Sequence, residues 1–370
     1  MPRQSRRMKL RRFRFSILVF GFFGLYALTA QRGTAWGDSA EFQDWVLNSS
    51  ELVCGPHFSN AHPLYVVFCR AFAGTPFAVT LVSSFFGALS VGGLFLCTRR
   101  FPLAILFGLS QMVWWLSCVA EVQTMNLALT AFETWCLLEG EKARDPSKCA
   151  AWLGAAALMA GVHLGVHNFA LLSLPVYVVA LVSICRRMPS RRALVASVPT
   201  VCWFAGAAFW LFNFVTRGPA DVLYGAYGAK VAGALPTVWT ATAFNLVLAS
   251  ISFFAPAALV WWGRASVARA AGDFAGRVLI ALFAVNFVFF ARYFVPDQSQ
   301  FLLPSLFYLY VLLRGTEVGR TRFAALAALQ FVLPVAAFLV ASELPLPEER
   351  LGRHHGRDDA KYFILPWRRP

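Results

Sequence analysis

The sequence predicts an all-α protein that crosses a membrane many times, and three observations support this. Hydrophobic residues make up 58% of the 370 residues and charged residues only 14%, about half the charged share of a soluble domain. Apolar runs of membrane-spanning length recur along the chain. Basic residues gather in alternate breaks between those runs, as the positive-inside rule requires. This organisation leaves no room for a large soluble domain.

About 11 apolar stretches, separated by charged or Pro/Gly-rich breaks, are predicted as spans of about 20 residues each. They cover residues 15–30, 76–97, 101–118, 122–138, 151–166, 168–185, 194–215, 243–262, 278–292, 301–313 and 323–341. No clear loop separates the fifth and sixth spans around His167, and a re-entrant hairpin is the alternative there. The prediction is one transmembrane domain over 1–341, with an outer loop at 31–61 that carries short helices and a C-terminal tail at 342–370.

The positions of the basic residues predict the topology. A basic run from Arg3 to Arg14 precedes the first span and places the N-terminus inside. The apolar run that follows is long for a secretory signal peptide, so we predict a retained span. Each inside loop then carries at least two basic residues, and the C-terminus lies outside. The net charge of +15 is accounted for by this pattern, and no nucleic-acid partner is predicted.

Common soluble motifs are absent from the sequence. It has no Walker loop, no H-E-x-x-H, no Rossmann fingerprint and no G-x-S-x-G. The eight cysteines form no C-x-x-C pair and most lie within or beside apolar runs. They are expected to behave as small apolar residues rather than as a disulfide or zinc framework.

In the predicted topology, the scarce reactive side chains gather at the outer ends of spans. These are Asp38, Glu41, His57, His62, Glu121, His163, His167, Arg292, Asp297, His354 and His355. A charge carried to mid-membrane costs about 2.5–3.5 kcal/mol, so such groups indicate function by default. For any single member, a helix end that reaches interfacial water is an equal alternative. The concentration of the set on one side favours a functional site.

The first outer loop contains two carboxylates, Asp38 and Glu41, three residues apart. One interpretation is structural: Asp38 caps a helix that begins at Ser39, and Glu41 completes a capping box. That interpretation does not explain why the same loop continues into a second polar cluster, Asn60-Ala61-His62-Pro63-Leu64-Tyr65.

These segments resemble a known family. Gly37-Asp38-Ser39-Ala40-Glu41-Phe42, followed by His62-Pro63-Leu64-Tyr65, is similar to the paired signature of the protein O-mannosyltransferase-like family within the GT-C membrane glycosyltransferases. Two later segments agree in order and location, Ala120-Glu121-Val122-Gln123-Thr124-Met125-Asn126 and Gly165-Val166-His167-Asn168. The resemblance is strongest over about the first 185 residues.

The resemblance implies a GT-C bundle that transfers a sugar from a polyprenyl-phosphate donor to an extracytoplasmic acceptor, with inversion. It implies Asp38 as general base, with Glu41 orienting the acceptor or exchanging roles with Asp38. Residues expected to bind substrate are His62, Tyr65, Glu121, Asn126, His163, His167, Asn168, Arg292 and Asp297. Arg292 is the expected cation at the departing phosphate, and Asp297 is expected to pair with it.

The sequence predicts no metal site, and it leaves open whether the protein requires a divalent cation. His163 and His167 are spaced i, i+4 and could form a metal pair, but the sequence indicates no third ligand. Gly161 and Gly165 form a small-xxx-small pattern around His163, which favours close helix packing.

Two other functions are compatible with the sequence. A transporter or lipid-linked sugar flippase would use polar groups at mid-span, such as Asn126, Glu133, Asn213, Asn245 and Asn286. A non-catalytic assembly protein would follow if Asp38 only capped a helix. The acceptor is open between lipid, glycan and protein. The Ala- and Arg-rich composition suggests a bacterial chain, and hence the cell inner membrane.

Overall fold

The computed structural model describes residues 2–35, 37–53, 57–223, 235–292, 298–343 and 364–367. Side chains are described within those ranges except at 2–8, 59–60, 235–245, 248, 292, 298–299 and 341–343. Throughout these ranges every regular element is helical. The predicted all-α class is therefore confirmed.

The first half of the chain contains α1 Pro2–Thr29, α2 Asp38–Asn48, α3 Phe58–Ala61, α4 Pro63–Phe72, α5 Pro76–Thr98, α6 Phe101–Gly108, α7 Gln111–Leu116, α8 Gln123–Lys142, α9 Pro146–Val166 and α10 Ala170–Arg186. The second half contains α11 Arg192–Arg217, α12 Pro219–Leu223, α13 Leu235–Trp262, α14 Arg264–Gly272, α15 Phe274–Arg292, α16 Leu303–Leu312 and α17 Arg320–Glu343. Short 3₁₀ turns lie at Pro189–Arg191, Gln298–Leu302 and Leu313–Gly315.

Within the described ranges, six helical segments are long and apolar enough to cross a membrane. They are Lys9–Thr29, Pro76–Thr98, Pro146–Val166, Pro189–Arg217, Phe274–Ala291 and Arg320–Val340. Shorter apolar helices lie at Pro63–Phe72, Ala170–Arg186, Ala249–Trp262 and Gln300–Gly315. The fifth and sixth predicted spans form separate helices, because α9 ends at Val166 and α10 begins at Ala170. The number of crossings and the sidedness stay predictions.

The stretch 101–118 was expected to form one continuous span, and this is wrong. It is divided into α6 and α7 by a break at Leu109 and Ser110, and neither piece is long enough to cross alone. Beyond the break, the Met112 N–H donates to Ser252 Oγ at 2.9 Å. Broken helices are tolerated at membrane depth where protein groups satisfy the freed backbone. An apolar run does not reveal such a break, because both pieces are equally hydrophobic.

The closest helix pair is formed by α9 and α11, which meet at two glycines. A Cβ added to Gly161 would lie 2.5 Å from Trp203 O, and one added to Gly206 would lie 2.2 Å from Leu158 O. Any larger residue would force the backbones apart, so the close packing predicted at Gly161 is confirmed. This contact lies in the second half of α9, which carries His163 and leads to His167.

The first outer loop is held against the start of α5 by Gln43, which is 2% exposed. Its Oε1 accepts from the Ala35 N–H at 2.7 Å, and its Nε2 donates to Pro76 O at 3.1 Å. The Gln31 N–H donates to Cys118 O at 2.8 Å, which joins the end of α1 to the end of α7. The loop is therefore built onto the helix ends rather than left in solvent.

Part of the C-terminal tail returns to this same end of the bundle. Trp367 packs on Trp114 with ring centroids 5.3 Å apart, and the Trp114 indole N–H donates to Thr29 Oγ1 at 2.9 Å. Ile364 is buried. Residues 364–367 of the tail therefore dock apolar side chains on the bundle. His354, His355 and the acidic pair Asp358-Asp359 lie outside the described residues.

The cysteines behave as expected where the structure describes them. Cys69, Cys97, Cys118, Cys136, Cys149, Cys185 and Cys202 are free thiols, and all but Cys202 are buried. Cys54 lies outside the described residues.

Candidate active site

Asp38 occupies the first turn of α2, with Gly37 before it as the N-cap residue. Gly37 has φ 57° and ψ −139°, a conformation that L-residues rarely adopt, and α2 has no side-chain cap hydrogen bond. The Gly37 carbonyl itself accepts from the N–H groups of Ala40 and Glu41. The alternative in which Asp38 caps a helix starting at Ser39 is therefore wrong. The positive φ of Gly37 lets α2 start one residue earlier and frees the Asp38 carboxylate from that role.

Glu41 lies one turn further along α2 and is exposed, whereas Asp38 is partly buried. The two carboxylates are thus in different environments on the same helix. Between them, Ser39 is 2% exposed, and its Oγ donates to Glu121 Oε1 at 3.3 Å. This hydrogen bond brings the Gly37–Phe42 segment against the Ala120–Asn126 segment.

The backbone of Glu121 is held in place by the Ser83 hydroxyl. Its N–H donates to Ser83 Oγ at 2.9 Å, and the Ser83 hydroxyl donates to Glu121 O at 3.0 Å. The Tyr65 hydroxyl lies 2.9 Å from Ser83 Oγ. Because the single proton of Ser83 is used on Glu121 O, the Tyr65 O–H must be the donor in that contact. Tyr65 is fully buried, so this geometry makes it a positioning residue for Glu121 through Ser83.

His62 has a left-handed backbone, with φ 45° and ψ 54°, between α3 and α4. Non-glycine residues in this region are uncommon and cluster at functional sites. Its Nδ1 lies 2.9 Å from Val166 O. A carbonyl can only accept, so Nδ1 carries the proton and the neutral ring presents Nε2 as an acceptor.

His167 stacks beside His62, with ring centroids 4.6 Å apart. The Phe169 N–H donates to His167 Nδ1 at 3.1 Å. Since that nitrogen accepts, the neutral ring of His167 carries its proton on Nε2. The pair therefore offers one acceptor, on His62, and one donor, on His167. Neither role could be assigned from sequence spacing.

Burial keeps both imidazoles neutral. It lowers the pKa of His62 to about 4, although the Val166 carbonyl and the Asp38 carboxylate act in the opposite direction. Burial also holds the pKa of His167 well below its usual range, helped by the neighbouring His62 and His163. The contribution of Asp38 to the pKa of His62 indicates that the carboxylate lies within electrostatic range of that ring.

His163 does not join this group and instead pairs inside the bundle. Its Nδ1 lies 2.7 Å from Glu133 Oε1, and its Nε2 forms a short contact with Asn126 Oδ1. Tyr177 donates to Glu133 Oε2 at 3.0 Å. The expected i, i+4 face shared by His163 and His167 is not formed, because α9 ends at Val166 and His167 has extended backbone. No group of three His, Cys, Asp or Glu side chains suited to a metal occurs among the residues that the structure describes.

The Asn168 side chain joins the segment before α10 to α11 and α12. Its Nδ2 donates to Val222 O at 2.6 Å, and its Oδ1 accepts from the Trp210 indole at 2.9 Å. Arg292 ends α15, but its side chain lies outside the described residues, as does Asp297. Their expected roles stay predictions.

His57, one of the span-end residues named from the sequence, forms a cluster with two residues that were not predicted, Arg217 and Asp221. His57 Nδ1 lies 3.2 Å from Asp221 Oδ1, and Arg217 donates to Asp221 Oδ2 at 3.1 Å. Partial burial opposes ionisation, but the hydrogen bonds from Arg217 and His57 hold the pKa of Asp221 below its usual value. The i, i+4 spacing of Arg217 and Asp221 could have indicated their pair, but not its histidine.

Comparisons with known proteins concern the family and the fold of the chain. Residues 103–190 match the family model described as the protein O-mannosyl-transferase TMEM260 N-terminal domain. The fold is similar to crystal structures of ArnT from Cupriavidus metallidurans bound to undecaprenyl phosphate, at 16% identity and TM-score 0.60, and in the apo state, at 15% identity and TM-score 0.62. No curated protein matches the chain.

The matches cover only part of each aligned protein, and this limits what they establish about the chain. The alignments with ArnT cover 90% of this chain and just under two thirds of ArnT, 66% and 65% respectively. At this identity the likeness concerns the fold, and the predicted GT-C-type helical bundle is confirmed. The family match includes Glu121, Asn126, His163, His167 and Asn168 but not the Asp38 loop. Together the two findings confirm the resemblance to GT-C glycosyltransferases of the O-mannosyltransferase-like kind.

Proposed function

We propose that the protein is a membrane glycosyltransferase that takes a sugar from a polyprenyl-phosphate donor and passes it, with inversion, to an acceptor hydroxyl on the extracytoplasmic face. The observation that carries the proposal is the meeting of three separated segments at one end of the bundle. Ser39, next to Asp38, donates a hydrogen bond to Glu121. His62 lies within electrostatic range of Asp38, and the His167 ring packs against it with centroids 4.6 Å apart. The ArnT structure bound to undecaprenyl phosphate supports a lipid-linked donor for a chain of this fold.

The reaction requires a base at the acceptor. The Asp38 carboxylate takes the acceptor hydroxyl proton while that oxygen attacks the anomeric carbon of the donor. A positioned base of this kind contributes a factor of about 10² to 10⁴. Glu41, exposed on the next turn, orients the acceptor. His62 Nε2 accepts a hydrogen bond from a sugar or acceptor hydroxyl.

As the bond from the anomeric carbon to phosphate oxygen breaks, the electron pair leaves with the phosphate. Preorganised donors in a water-poor site stabilise that developing charge more than water does. The Nε2 proton of His167 is one such donor. Arg292, at the end of α15, is the proposed cation, and Asp297 is proposed to orient it.

The test is sugar transfer in membranes that carry the wild-type protein or Asp38→Asn at equal abundance, with polyprenyl-phosphate sugars as donors. We expect a loss of about 10² or more for Asp38→Asn, because the amide cannot take a proton. Asp44→Asn is the matched control, since Asp44 lies on the same helix, is exposed and only accepts from Asn48 Nδ2. Equal activity of Asp38→Asn and Asp44→Asn would remove Asp38 as the base.

A lipid-linked sugar flippase is the second candidate, and one observation favours it. The Glu133 and His163 pair lies inside the bundle, and buried ionisable pairs in membrane proteins often line transport pathways. Reconstitution in liposomes with a labelled lipid-linked sugar separates the two. A transferase forms product only when acceptor is added, whereas a flippase moves the donor between leaflets without acceptor.

The domain organisation and location form part of the proposal. We assign residues 1–341 to one catalytic membrane domain, with the site in the loop at 31–61, and the protein to the inner membrane if the chain is bacterial. The acceptor is a lipid, a glycan or a protein.

A further inference from the structure

A polar cavity lies at the end of the bundle opposite to Asp38. It has a volume of about 500 Å³ and is lined by the end of α13, the start of α14, the Leu313–Gly315 turn and the start of α17. The 23 residues of α5 separate the two ends, and at 1.5 Å per residue that is about 34 Å. Arg100, just beyond α5, donates to Arg314 O at 3.1 Å, next to this cavity. The cavity is therefore distinct from the candidate active site.

The cavity wall is strongly basic. Arg264, Arg269 and Arg322 line it, and the single lining carboxylate is Glu317. Glu317 Oε1 lies 3.6 Å from Arg100. Because Arg100 is not part of the lining, the Glu317 carboxylate pairs with a cation outside the cavity wall. The three guanidinium groups thus leave an excess of positive charge facing the space.

Indole rings, rather than carboxylates, hold two of these arginines. The Arg264 guanidinium lies 5.6 Å from the Trp261 ring centroid, and that of Arg322 lies 5.1 Å from the Trp262 ring. An aromatic face positions a guanidinium without neutralising it. Both arginines therefore remain available for an anion.

Two further groups converge on the same space. α14 begins at Arg264, and its N-cap residue Gly263 supplies no side-chain cap. Thr316 also lines the cavity, is 6% exposed, and its Oγ1 has no hydrogen-bond partner among the residues that the structure describes. A Cβ added to Gly263 would lie 2.7 Å from both Oγ1 and Cγ2 of Thr316, so this side chain packs on the N-cap residue of α14. A helix N-terminus beside guanidinium and hydroxyl donors is a typical site for a phosphate.

We propose that this cavity binds a phosphate group, presented by a lipid headgroup or as free phosphate. The surroundings suit a lipid, because Trp261 and Trp262 are 69% and 44% exposed and such indoles anchor proteins at the headgroup level of a membrane. The proposal does not depend on the glycosyltransferase function, since none of these residues belongs to the site around Asp38.

The test is native mass spectrometry of the full-length protein in detergent, titrated with phosphatidylglycerol and, separately, with zwitterionic phosphatidylethanolamine. We expect the double variant Arg264→Gln/Arg322→Gln to weaken phosphatidylglycerol binding by about tenfold or more, because two charge-assisted hydrogen bonds are lost. Thr316→Val, which keeps the side-chain shape, is expected to weaken it by about threefold. The thermal unfolding midpoint of each variant reports whether the fold is retained.

Arg191→Gln/Arg192→Gln is the matched control, because both arginines are exposed on the same predicted face and lie far along the chain from the cavity. The proposal is overturned if this control weakens binding as much as the cavity variants, or if either cavity variant binds as the wild type does. Competition by inorganic phosphate at millimolar concentration would assign the site to free phosphate as well as to lipid. Retained phosphatidylglycerol binding without competition would assign it to the lipid headgroup.

Discussion

Glu133 and His163 are hydrogen-bonded inside the helical bundle, with 2.7 Å between Oε1 and Nδ1 and 3% exposure for each side chain. The other ring nitrogen of His163 faces Asn126 Oδ1, whose amide is oriented by donation from Nδ2 to Gln123 Oε1 at 3.1 Å. Both nitrogens of the imidazole thus face oxygen acceptors. With Tyr177 donating to the second carboxylate oxygen, the pair joins α8, α9 and α10 behind the candidate site.

Removing one partner of this pair should destabilise the bundle. We expect Glu133→Ala to cost about 3–5 kcal/mol, because it leaves a buried imidazole and a buried Tyr177 hydroxyl without their acceptor. Glu141→Ala is the control on the same helix, where Glu141 pairs with the exposed Arg187 and should cost at most about 1 kcal/mol. Unfolding midpoints in detergent compare the two. Equal losses would show that the Glu133 pair contributes no more than a surface pair.

The neutral state of His62 predicts a dependence of stability on pH. Its pKa is about 4 in the folded protein and about 6.5 in an unfolded chain. Between those values the unfolded chain binds a proton that the folded protein does not, so stability falls as the pH falls from 6.5 towards 4 and is unaffected above that window. His62→Asn should reduce this dependence, since asparagine tolerates the left-handed backbone and does not titrate. Thermal midpoints at pH 7.5 and 4.5 measure it. A slope as steep in His62→Asn as in the wild type would assign the effect to other groups.

We expect removal of the Ser83 hydroxyl to lower the free energy of unfolding more than removal of the Tyr65 hydroxyl, although Tyr65 is the larger residue. Ser83→Ala removes hydrogen bonds from three buried groups, the Tyr65 hydroxyl and both backbone groups of Glu121, although Glu121 O keeps the Thr124 hydroxyl as a donor. Each group left unpaired costs about 1–3 kcal/mol. Tyr65→Phe removes one donor and should cost about 0.5–1.5 kcal/mol. The free energy of unfolding of both variants tests this order. A larger loss for Tyr65→Phe would contradict the assignment of Tyr65 as the donor.

The gathering of the candidate residues could be predicted from sequence, because it depends on which helix ends lie together at one end of the bundle. Asp38, His62, Glu121 and His167 lie next to span ends in the chain, and the structure brings their segments together. The partners of these residues could not be predicted. Ser83 is one hydroxyl within an apolar run, and nothing in its surroundings distinguishes it from the other serines of α5.

Long-range pairs and backbone geometry account for the remaining differences. Glu133 and His163 are 30 residues apart on different helices, so no helical periodicity connects them. The capping-box interpretation failed because it considered only the side chains of Asp38 and Glu41. The start of α2 is determined instead by Gly37, whose positive φ is a property of the backbone.

Gly37 therefore provides the sharpest test of how the Asp38 carboxylate is positioned. A side chain at φ 57° and ψ −139° costs about 1–3 kcal/mol, so Gly37→Ala should relax the start of α2 and displace Asp38. Gly33→Ala is the control in the same loop, because no atom lies within 4 Å of an added Cβ. A misplaced base lowers the rate of the chemical step, and a displacement of about 1 Å can cost about 10²-fold. We expect Gly37→Ala to lower the rate of sugar transfer with little change in apparent donor affinity, while Gly33→Ala behaves as the wild type. Equal transfer rates in both variants would show that the backbone of Gly37 does not position Asp38.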